Sequence, residues 1–226
     1  MNYILPLLSV LLGYTFTLIF KLKAINNLKL VLAFSGSFLL SLTVIHLLPD
    51  VYQLKNIKVG LFIMLGILLQ ILLEFFSKGA EHGHVHGHVH GHEKMLNMPW
   101  LLFISLCIHA FLEGFPVNKH HQLAIGIAIH HFPIAIILTT FFLNAQLNKV
   151  ALLIFMVTFA IMTPLGTLIA EFFPVLNQYY GEITAVVIGV LFHISSTIIF
   201  ESSEGHKFNI VKISMIILGI LLASCI

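Results

Sequence analysis

The chain has 226 residues, of which 59% are hydrophobic and 9% charged, and its formal net charge is +2. A soluble domain carries about 25% charged residues, so this chain cannot wrap a packed core in a watery surface, and the class that fits is a membrane protein. The eleven basic residues are all lysines and form no patch, which gives nucleic acid no footing as a partner.

Apolar runs predict spans at Tyr3–Phe20, Leu30–Leu48, Val59–Phe76, Pro99–Val117, Leu123–Leu143, Val150–Phe173, Ile183–Phe200 and Val211–Ile226. Each approaches the ~20 residues that cross a bilayer as a helix. Helices are expected because lipid cannot satisfy free backbone groups and no strand-like alternation is present. The first run has no basic segment before it and no small-residue cleavage motif, so it reads as a span and not a removable signal. Cys107 and Cys225 lie in apolar runs and define neither a disulfide framework nor a thiolate metal site. The expectation is one polytopic domain over residues 1–226.

Lysines predict the orientation. The odd-numbered connections hold Lys21, Lys23, Lys29, Lys78, Lys94, Lys149, Lys207 and Lys212, and the even-numbered ones hold Lys55, Lys58 and Lys119. The richer side is expected in the cytoplasm, with both termini outside and the cell (inner) membrane as location.

Between spans three and four, residues 79–94 form a histidine-rich loop in which His82, His84, His86, His88, His90 and His92 alternate with Gly and Val. Neutral imidazole is the commonest transition-metal ligand. Spacing this loose predicts weak, exchanging metal sites on the cytoplasmic side and not one fixed geometry.

Ionisable side chains inside spans are costly and mark function by default. Span four reads IHAFLEGFPV and places His109 and Glu113 four residues apart, on one helical face. Span five reads AIGIAIHHFPIAII, with His130 and His131 just before Pro133, whose missing N–H and bulky ring bend the helix beside them. The short connection makes the two spans antiparallel neighbours, so these four side chains meet at similar depth. Imidazole nitrogens with one carboxylate suit Zn²⁺, and Fe²⁺, Mn²⁺, Co²⁺ or Cd²⁺ would also be held. Adjacent residues on a helix point about 100° apart, so His130 and His131 do not both face one point unless the Pro133 bend turns one of them inward. His46 and Asp50, at the end of span two, and His193, in span seven, are expected as entrance or exit groups. The bland reading makes them helix-end residues reaching for the interface. Glu74, near a span end, reads as solvated, and His120 and His121, in a short loop, read as surface residues.

HAFLEG, HHFP, HLLP and the intervening histidine-rich loop together resemble the ZIP family of metal importers. Its central helices carry a pattern close to HNxPEG. His109, Glu113, Gly114, His130 and Pro133 match that pattern, whereas Ala110 and His131 stand at the usual Asn positions. TPLG in span six resembles the family's EPLG. Ile134 and Thr163 replace carboxylates that help hold a second ion, so the resemblance implies one metal centred on His109, Glu113 and His130. It further implies an all-α integral membrane fold of eight transmembrane helices in a 3+2+3 arrangement with an inverted repeat. A scaffold able to form a homodimer and alternating-access uptake of a divalent metal ion, zinc first, complete what it implies. Two other readings stand beside it. A membrane metalloenzyme would want HExxH on one helix, which this chain lacks. A metal exporter would differ in the direction of flux.

Overall fold

The computed structural model describes residues 3–20, 28–54, 58–77, 99–201 and 210–226. The histidine-rich loop lies outside them. The longer helices are α1 (Ile4–Phe20), α2 (Leu28–Gln53), α3 (Val59–Ser77), α4 (Trp100–Gly114), α5 (His121–Asn144), α6 (Lys149–Phe172), α7 (Tyr180–Glu201) and α8 (Ile210–Ser224). Among the described residues, six helices are long and apolar enough to cross a membrane, and α1 and α8 are shorter apolar ones. No strand occurs among these residues.

Polarity runs inside out, as a bilayer requires. Leu12, Leu61, Met64, Phe75, Leu221 and similar side chains point outward, whereas His109, Glu113, His130, His131, Thr139 and Thr163 are buried. In water an apolar circumference of this extent would drive association; in lipid it is the solvated surface. Among the six long helices, α5 is the most enclosed, 67% of its apolar window being buried against 28% for α3. The helix that carries His130 and His131 is therefore central.

Close packing follows from small residues, because lipid tails supply no hydrophobic drive between helices. Gly114 of α4 lies against the Thr163 carbonyl of α6, and Gly166 of α6 lies against the Phe111 carbonyl of α4, so a Cβ at either would overlap backbone. Thr167 fastens the same crossing, its hydroxyl donating to the Gly114 carbonyl at 2.8 Å. At the α1–α5 crossing the Ser9 hydroxyl donates to the Ala128 carbonyl. The principal neighbours are α1 with α5, α4 with α6, α3 with α7 and α2 with α8. Exchanging α1 with α6, α2 with α7, α3 with α8 and α4 with α5 leaves this set of pairs unchanged.

Proline alters the backbone hydrogen bonding of several helices, Pro164 lying inside α6. Pro133 lies inside α5 and leaves the Ile129 carbonyl without its usual donor. In α2, Pro49 follows a wide π turn over Thr43–Leu47, closed by the Leu48 N–H on the Thr43 carbonyl. Helix α2 runs on to Gln53, past the predicted end at Leu48, so that all of HLLPD lies within it.

Candidate metal centre

Glu113 sits on the last turn of α4, before the chain tightens into a 3₁₀ turn at Phe115–Asn118 and reverses into α5. The four-residue spacing from His109 holds in the fold, with His109 Nε2 3.2 Å from Glu113 Oε1. Across the hairpin, His131 Nε2 lies 2.9 Å from Glu113 Oε2. His109, Glu113 and His130 each offer a ligand atom, and these atoms all lie within 4.8 Å of one another. All four side chains are buried, Glu113 completely.

A buried carboxylate surrounded by imidazoles has two stable ways to exist. It can pair with protonated histidine, or it can share neutral histidines with a cation, since an isolated charge in a low-dielectric interior is very costly. Donor atoms around a tetrahedral ion with ~2.0–2.1 Å bonds stand roughly 3.4 Å apart. The present spread therefore needs only small side-chain rotations to close on an ion. Two nitrogens and one carboxylate oxygen form a set suited to zinc and neighbouring divalent metals.

His130 and His131 both reach this cluster, although adjacent helical side chains diverge. The two imidazole centroids are 5.8 Å apart, the His131 ring touching Glu113 Oε2 and the His130 ring offering its ligand atom within 4.8 Å of those of His109 and Glu113. His131 is further held by Phe159 of α6, at 5.2 Å between ring centroids. Its Nδ1 is buried without a hydrogen-bond partner. The Thr163 hydroxyl is likewise buried and unpartnered, and Ile134 is buried in the core.

The outlying residues fall into two groups. His46 and Asp50 line a hollow of about 600 Å³ at one end of the bundle, together with Lys119, His120 and Tyr180. His120, expected at the surface, is instead buried, with Nε2 3.4 Å from Asp50 Oδ2; His121 is exposed as expected. The end of α2 and the start of α7 converge over the α4–α5 turn and enclose His120, which a reading of the loop alone does not reveal. Burial, the largest influence, lowers the His120 pKa below its ordinary value, and the nearby Asp50 carboxylate opposes that shift without reversing it.

His193 of α7 makes a 2.6 Å contact with Glu74 of α3. Glu74 is thus half-buried and paired, not solvated, because α3 and α7 pack side by side. Neither residue belongs to the central cluster. His82 to His92 lie outside the described residues.

Comparison of the chain with protein-family models gives no match, and comparison with curated proteins gives none either.

Proposed function

We propose that this chain carries divalent transition-metal ions, zinc first, across a lipid bilayer into the cytoplasm. The observation that carries the reading is the buried meeting of His109, Glu113 and His130 on two successive helices of a membrane-like bundle. A carboxylate in such a place is a substrate-site candidate by default. With neutral imidazoles the group has one negative charge, enough to attract a dication and too little to trap it as a dense anionic cage would. The ion is substrate, taken up as water leaves and ligands lose protons.

Resemblance to the ZIP importers supports the same assignment through His109, Glu113, Gly114, His130 and Pro133. The neighbour pairs preserved when α1–α3 are exchanged with α6–α8 support an eight-span inverted repeat, a design in which sites near the midplane recur. Lysine placement supports odd connections in the cytoplasm. A homodimer through the outer helices follows from the resemblance.

Purified protein in liposomes, with timed uptake of Zn²⁺, Fe²⁺, Mn²⁺, Co²⁺ and Cd²⁺ compared side by side, tests the proposal. Saturable uptake of Zn²⁺ that disappears in Glu113→Ala is expected. Hydrolysis of a peptide or lipid without metal flux would favour the metalloenzyme, and flux only out of the cytoplasmic side would favour the exporter.

A further inference from the structure

Further side chains of ligating type line one hollow at the end of the bundle where α2 stops and α4 turns into α5. Asp50 and His120 are in contact there, from two different parts of the fold. His46, one turn before Asp50, lines the same hollow, and its Nε2 is buried without a hydrogen-bond partner. We propose that Asp50, His120 and His46 form a docking site for a hydrated divalent transition-metal ion, distinct from the buried centre at Glu113. The inference rests on the reading of the chain as a metal carrier.

Donor chemistry is the first argument. Two imidazoles and a carboxylate are the donor types of the central cluster, but here the Asp50 side chain is 58% exposed. A bound ion would keep part of its water, and the hollow of about 600 Å³ has room for that shell, a water molecule needing about 30 Å³. Backbone geometry is the second argument. His46 belongs to the π turn of Thr43–Leu47, and wide turns of this kind occur frequently at functional sites. The third argument concerns the competing cation. Lys119 also lines the hollow, yet its Nζ lies 3.6 Å from the centre of the Tyr180 ring. Cation–π attraction holds the ammonium over the aromatic face, and the side chain in contact with Asp50 is that of His120.

Position gives the site its role. His130 lies ten positions after His120, which precedes α5, about 15 Å along the helix at 1.5 Å per residue. An ion bound at the mouth is therefore concentrated at the head of the helix that carries the central ligands. Such a site should govern uptake when metal is scarce and matter little when metal is abundant.

The test uses the full chain with its six tract histidines, His82 to His92, replaced by serine. Zn²⁺ is titrated calorimetrically, and Zn²⁺ uptake is measured in liposomes. Two classes of site are expected, one tight and one weaker. Asp50→Asn combined with His120→Gln should remove the weaker class and spare the tight one, and Glu113→Ala should do the reverse. In uptake, the double variant should raise the half-saturating Zn²⁺ concentration about tenfold while the maximal rate stays within about twofold. Asp50→Glu should restore most of the loss. Should the double variant not fold, Asp50→Asn alone, at an exposed side chain, carries the same test. Persistence of the weaker class, or an unchanged half-saturation, would overturn the docking site. Loss of the weaker class in a parent that lacks the tight one would uphold the dock and defeat the central reading.

Discussion

His131 Nε2 lies 2.9 Å from one carboxylate oxygen of Glu113 while His109 Nε2 lies 3.2 Å from the other. The carboxylate is thereby fixed from both sides, with His130 close enough to share an ion with the His109 side. Removing the His131 ring should free Oε2 and let the carboxylate turn. His131→Ala should weaken Zn²⁺ binding at the centre by about 10- to 100-fold, the usual effect of losing a group that orients a ligand. His131→Asn, which retains an N–H donor, should recover part of it. Competition against a chelating dye measures both; complete loss in His131→Ala and in His131→Asn would instead make His131 a direct ligand.

The α4–α6 crossing depends on two missing side chains. A Cβ at Gly114 or Gly166 would meet carbonyl backbone of the facing helix. Gly114→Ala and Gly166→Ala should each cost about 1–3 kcal/mol, the range for overpacking a tight contact. The expected readout is a lower melting temperature in detergent. Gly60, with nothing near its Cβ position, is the control: Gly60→Ala should leave melting unchanged or raise it slightly. Equal melting of all three variants would contradict this packing.

His120 offers a pH prediction with a defined sign. Burial disfavours its charged form; His46, Lys119 and His121 add repulsion, and Asp50 opposes them. Its folded pKa is lowered from 6.5, so the folded state binds fewer protons there than an open chain does. The stability it contributes is present above about 6.5 and is lost as pH falls through the lowered folded value. The His120 imidazole signal in a ¹³C-histidine NMR titration should have its midpoint below 6.5, and Asp50→Asn should push it lower still. A midpoint above 6.5 would mean that attraction to Asp50 outweighs burial.

Much of the helical frame was legible because apolar length is a local property. HAFLEG likewise placed His109 and Glu113 on one face before any fold was known, and the 3.2 Å contact agrees. The pairing of Glu74 with His193 was not legible, since the residues are 119 positions apart and neither helix alone signals the other. His120 was misread because its burial is made by α2 and α7, not by its own loop. Helical geometry sets adjacent side chains about 100° apart and does not reveal that His130 and His131 both come close to Glu113. One carboxylate can meet both because it has two oxygens to offer.

The histidine-rich loop should tune supply instead of forming the path. Its six histidines are redundant in kind and stand apart in sequence from the spans that carry the central ligands. Deleting His82 to His92 should alter apparent affinity or regulation and leave Zn²⁺ uptake measurable in liposomes. Abolished flux in a well-inserted deletion variant would place the loop in the path.

The central claim is that His109, Glu113 and His130 hold one ion. Glu113 supplies the only carboxylate of that cluster, with Ile134 and Thr163 offering none, and two adjacent dications sharing it would repel strongly in a low-dielectric interior. The direct measurement is the number of tightly bound Zn²⁺ per chain in loop-deleted protein, before and after Glu113→Ala. One ion in the parent and none in the variant is the predicted result; two ions in the parent, or one retained by the variant, would contradict it.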